Sequence, residues 1–329
     1  MKAKLIFIVL FSLIVDNSLN GQSAPTKVFY ITKSEGEKDD ITLSETHKLY
    51  VTHTYQVNVI DEKTGDSIGM IPGTIGVHGV ALAEFLNKGY TSNGVDKSVT
   101  VFNLNSNEVL RKILIPEGVP DGIYYDEYSH KIYVGKANSE SITVIDPHLD
   151  NIIAEIKLGA RPEGIASDKS NLYVNCGKNQ IAVINTQSLK EESRWLLDPA
   201  YAPTGLDIDL KRHHLFVGCL NKLLLIVDSK NGHVIDSLKI GGGCDGVAFD
   251  EISKCVLISC GEGTLYVVKM GKNGKYEVEK KLTTVRTAST IAINSKTHTA
   301  YLPALIFEQK GNNSQNNNAI GIQVLKINY

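Results

Sequence analysis

Short apolar runs, bounded by Gly, Asn, Asp or Lys, recur along this chain in sets of four. In residues 118–158 the set reads GIYYD, KIYV, SITVID and IIAEIKL. The next two sets open with GIASD, NLYV and IAVIN, then with GLDID, HLFV and LLIVD. These runs are rich in β-branched and aromatic residues and alternate, or are apolar throughout, which predicts strands of about five residues each. Beyond the N-terminal segment no stretch carries the apolar spacing of a helix.

Small-residue markers at Gly79, Gly122, Gly164, Gly205 and Gly246 lie 43, 42, 41 and 41 residues apart. Asp39-Asp40-Ile41 fills the same place upstream and Ser289-Thr290-Ile291 downstream, making seven units. Four strands per unit and a period near forty predict an all-β fold, a seven-bladed β-propeller with four-stranded blades. The last unit reaches its third strand at 321–327, whereas residues 27–32 (KVFYIT) supply a spare strand. The N-terminal strand is therefore expected to complete the last blade and close the ring, covering two naked sheet edges at once.

The units resemble those of the YVTN-repeat, YncE-like propellers, an exported family. The resemblance rests on Pro162-Glu163-Gly164-Ile165-Ala166, on Leu172-Tyr173-Val174-Asn175 and on Ile142-Thr143-Val144-Ile145-Asp146. It covers nearly all of the chain after the first 24 residues. It implies the propeller fold and export, and says little about activity. Blades two and seven depart most: Lys88-Gly89-Tyr90-Thr91 is a poor second strand, and blade seven carries an insertion.

Residues 1–24 read as a secretory signal. Lys2 and Lys4 precede an apolar run at 5–15, and small or polar residues follow to Ala24. Cleavage is expected between Asn20 and Ala24, leaving 25–329 as the propeller in the periplasm or outside the cell. The run is short for a membrane span, and no later segment has spanning length. No Cys follows the run, which argues against a lipid anchor. Lys and Arg total 34 against 36 acidic residues, so no global field draws the protein to nucleic acid. A monomer is expected.

The candidate site follows from strand order. Antiparallel blades put the second-to-third and fourth-to-first connections on one face. The residue before each marker sits at the inner rim of that face: Asp39, His78, Asp121, Glu163, Thr204, Asp245 and Ser289. Four carboxylates in seven places exceed the roughly one that 36 acidic residues in 329 would give. Asp is also a turn residue in its own right, which accounts for part of the excess. Ligand contacts are expected at Asp121, Glu163 and Asp245, then Asp39, His78 and Arg161, with Arg161 and Arg286 also offsetting some acidity. Such a funnel suits a hard cation, or a cationic or polyhydroxylated ligand, including a divalent cation at the axial opening. The polar insertion at 308–319 (EQKGNNSQNNNA) would lie on the same face, as a lid or as a plain surface loop.

Five cysteines remain: Cys176, Cys219, Cys244, Cys255 and Cys260. Cys176, Cys219 and Cys260 occupy one repeat position, too far apart for disulfides between blades. Cys244 stands where it could approach Cys260. Tandem His213-His214 falls in a turn on the opposite face and is expected to be solvated. Trp195, with Arg194 beside it, is a candidate anchor for a protein interface. No P-loop, nucleophile elbow, zinc-protease or haem-attachment motif is present, and a single tryptophan argues against a quinoprotein. The expected function is non-catalytic binding of a small molecule or a cell-surface protein partner through the funnel. The alternative is a metal-dependent lactonase or lyase with a cation at the centre and His78 as acid or base.

Overall fold

The computed structural model describes residues 27–31, 37–307 and 318–329. Seven antiparallel sheets of four strands each make up the molecule. Blades one to six run over residues 38–71, 77–114, 120–157, 162–196, 203–239 and 244–283. Blade seven takes its three inner strands from Ala292–Asn294, Thr299–Phe307 and Asn318–Lys326, and its outermost from Lys27–Ile31. That latch pairs antiparallel from Lys27 opposite Val324 to Ile31 opposite Ile320, so the expected closure is present. The signal segment and most of the 308–319 insertion lie outside the described residues.

The core is distributed over the seams between blades. Seven clusters of buried residues each draw on two neighbouring blades, including one joining Phe29 and Ile31 to Ile41, Leu49 and Val51 of blade one. The ring is thus closed by packing as well as by hydrogen bonds. The aromatic residue of the second strand fills most seams: Tyr50, Tyr90, Tyr133, Tyr173 and Phe216 are almost fully buried. Second and third strands are buried on both faces, which is why they read as continuous apolar runs, whereas fourth strands alternate.

The expectation for blade two is corrected. Lys88–Asn93 forms a complete second strand paired to both neighbours. Gly89 belongs there because the Phe102 ring lies across it, where a Cβ would come within 2.1 Å. The phenol of Tyr90 donates to Asp150 Oδ1 at 2.7 Å. The Asp and Asn residues that end third strands are turn formers: Asp61, Asn103, Asp146, Asn185 and Asp228 each accept at least one backbone N–H from the following turn.

Candidate functional site

Both predicted sets of connections meet on one face. In six blades the backbone N–H just past the second strand donates to the carbonyl two residues before the rim residue, as in Gly177 to Arg161 and Gly261 to Gly243. Between that point and the body of the first strand the ladder slips. The register shifts between Lys38 and Ile41, Val77 and Val80, Pro120 and Ile123, Pro162 and Ile165, Pro203 and Leu206, and Cys244 and Gly246. In these six blades the rim residue sits inside such a bulge, a device that bends a strand and re-aims its side chain. The marker glycine follows because inner strands crowd there: a Cβ on Gly164 would come within 2.2 Å of the Thr204 carbonyl oxygen.

Six of the seven rim residues, from Asp39 to Asp245, line one axial funnel of about 270 Å³. Ser289 instead faces an adjoining hollow of about 420 Å³, shared with Lys38, Cys244 and Asp245. Around half the rim the charges are paired in series. His78 Nδ1 lies 2.7 Å from Asp39 Oδ2 and 3.7 Å from Asp121 Oδ1. Arg161 reaches the other Asp121 oxygen at 2.9 Å and Glu163 at 2.8 Å. Arg286 is not among the residues lining either space.

Two residues of the site were not singled out from sequence. Asp40, standing where five other blades have glycine, projects into the funnel and accepts the Ile41 N–H at 2.8 Å. Lys38 donates to Ser289 Oγ at 3.1 Å. A charged residue in a position otherwise kept small was the available signal for Asp40. No periodic signal marks Lys38.

The recess shifts the titrations. Burial pushes the carboxyls of Asp40 and Glu163 up to about 7, in Glu163 against the pull of Arg161. Burial raises Asp245 to about 6, helped by the charge of Asp39. Asp245 is open to solvent at the funnel yet surrounded by protein. The hydrogen bond that His78 donates to Asp39 raises His78, and burial lowers Lys38. Among the described residues no three His, Cys, Asp or Glu side chains converge in a metal-holding arrangement.

Away from the funnel, two expectations change. Trp195 is not a free anchor: its indole lies over Gly232 of blade five, where a Cβ would meet it at 2.3 Å, and near the Tyr173 ring, 5.8 Å away. Arg194 is spent on Glu191 and the Leu158 carbonyl. His213 is exposed, but His214 is half-buried and its Nδ1 sits 2.8 Å from the Tyr276 hydroxyl. All five cysteines are buried and unbonded, with Cys244 and Cys260 brought together.

No protein-family model matches the chain, and no curated protein matches it in sequence. Solved structures match it in shape. A chain of the mitotic checkpoint complex superposes with a TM-score of 0.76 at 11% identity, over 99% of both chains. The β-propeller domain of Myceliophteria thermophila Cps50 (Swd1) gives 0.71 at 12% identity, over 92% of this chain and all of that one. Kuenenia stuttgartiensis hydrazine synthase gives 0.68 at 15%, over 83% of this chain and 95% of that one. At such identities the likeness establishes the seven-bladed propeller fold and nothing finer. No helix among the described residues is long and apolar enough to cross a membrane.

Proposed function

We propose that this protein is an exported, non-catalytic binding module of YVTN, YncE-like type that takes a small cationic ligand, or a cationic segment of a protein partner, into its axial funnel. One observation carries the reading: residues from six blades turn out of their bulges into a single opening, and the carboxylates there outnumber the cations. Arg161 and His78 already serve Asp39, Asp121 and Glu163, so Asp245 and Asp40 are the carboxylates with charge to offer. The same commitments tie the funnel imidazole of His78 at Nδ1, and among the described residues the carboxylates are not grouped as ligands for a metal. Binding without chemistry is the simpler use of such a site. The shape neighbours come from a protein complex, an enzyme and a propeller domain, and the fold is compatible with any of these roles. Export rests on the charged and apolar start of the chain.

Calorimetric titration with spermidine, at about pH 8 and low salt, tests the reading, with sorbitol as the uncharged control. Spermidine is expected to bind at one site. Asp245→Asn or Asp40→Asn should each weaken it about fivefold, the worth of roughly 1 kcal/mol per contact charge in water. Heat from sorbitol alone, or spermidine binding that ignores both substitutions, would sink it.

A further inference from the structure

The residue before each rim position faces the last residue of the second strand. In blades three, four and five the facing pairs are Pro120 with Lys136, Pro162 with Cys176, and Pro203 with Cys219. Proline fits because the pair exchanges no backbone hydrogen bonds. The bond from the Gly261 N–H to the Gly243 carbonyl, at 2.8 Å, identifies the equivalent pair in blade six as of that kind. A thiol opposite proline has no partner in its own blade. Blade six replaces the proline with Cys244 and keeps Cys260 opposite.

In an antiparallel ladder, pairs without mutual backbone bonds hold their Cα atoms about 4.5 Å apart, within the roughly 4.4–6.8 Å that a disulfide spans. Facing each other across the ladder, the two thiols shift one another's ionisation, with Cys244 held above the usual range and Cys260 lowered. Both are fully buried, but Cys244 borders the hollow that opens beside the funnel. The floor of blade five presses on it: a Cβ on Gly218 would lie 2.4 Å from Cys244 Sγ.

We propose that Cys244 and Cys260 are a two-thiol redox site, which hydrogen peroxide converts to an intrablade disulfide. One of the two sulfurs, as thiolate, attacks one peroxide oxygen, the O–O bond breaks, and the departing hydroxide takes up a proton to become water. The other sulfur attacks the resulting sulfenic sulfur, and the hydroxide it displaces leaves with the second thiol proton as water. Two thiols lose two electrons and two protons, and peroxide is reduced to two waters. Peroxide is small enough to enter the hollow, and the bond forms one residue from Asp245, at the bulge that aims that carboxylate. This site is independent of what the funnel binds.

The test counts thiols. Purified protein, with and without hydrogen peroxide, is denatured, alkylated with iodoacetamide, weighed intact and mapped as peptides. Reduced protein should take up five alkyl groups, one for each cysteine. Peroxide-treated protein should take up three, five less the bonded two, with a cross-linked peptide joining Cys244 to Cys260. Cys219→Ser should keep that cross-link and Cys260→Ser should abolish it. Five alkyl groups after peroxide, a link from Cys244 to Cys219, or oxidation to sulfonic acids without a cross-link would each overturn the proposal.

Discussion

At the residue scale, Asp40 shows what the repeat gives up for its funnel. Five other blades keep glycine there, whereas blade one places a carboxyl that burial raises to about 7. The native state then holds the proton more tightly than the unfolded chain, whose aspartates titrate near 4. Between those values folding binds protons, so stability falls as pH rises, and the benefit of the neutral carboxyl is full below about 4 and gone above about 7. Asp40→Asn keeps the Oδ1 acceptor for Ile41 and never ionises. After discounting for funnel water, it should gain about 1–2 kcal/mol at about pH 8, a Tm increase of roughly 2–3 °C, and nothing at about pH 4. Thermal melts at both values decide this, and equal stability at about pH 8 would show that the carboxyl is solvated. His78 runs with the same sign: its hydrogen bond to Asp39 stabilises the fold below the unfolded value and is weakened as pH rises through the raised one.

At the scale of strands and blades, the latch is the most exposed joint. Phe29 and Ile31 are only 4% exposed and pack on blade one, and the Phe29 ring fills space against Gly65 where a Cβ would come within 2.1 Å. Phe29→Ala should cost about 3–5 kcal/mol in chemical denaturation, and the uncovered Asn318–Lys326 edge should raise aggregation. A loss below about 1 kcal/mol would mean that blade seven holds without its fourth strand. This joint was legible in sequence because strand arithmetic leaves one strand over at one end and one missing at the other. The blades were legible for a similar reason: two-sided burial makes continuous apolar runs, and Asp or Asn closes the third strand in five blades. Sequence could place Asp39 or Glu163 on a rim, but not the bulge that turns the side chain inward, which depends on how two strands fall out of register. Trp195 failed as an anchor for a related reason. Its strand was right, but which face of that strand meets blade five is set by packing over Gly232.

For the whole molecule, 34 basic and 36 acidic residues leave little net field at a distance. Attraction of a cation to the funnel must therefore be local, and its charge is set by the recessed groups. Asp245 titrates at about 6, and Glu163 and Asp40 at about 7, so all three gain charge between about pH 5 and 8. His78 loses its positive charge as pH rises through its raised value, which acts in the same direction. Spermidine affinity should rise on the order of 10–100-fold over that window, counting about fivefold for each charge and some mutual cancellation. Added salt should weaken it only moderately, because the interacting charges lie within about one Debye length of about 10 Å and inside a recess. The variant combining Asp40→Asn, Glu163→Gln and Asp245→Asn should bind weakly with a nearly flat pH profile. Calorimetry across pH reads both outcomes. A wild-type profile that is flat, or that falls as these carboxylates ionise, would mean that the ligand is not drawn by their charge and that the funnel's acidity belongs to its turns alone.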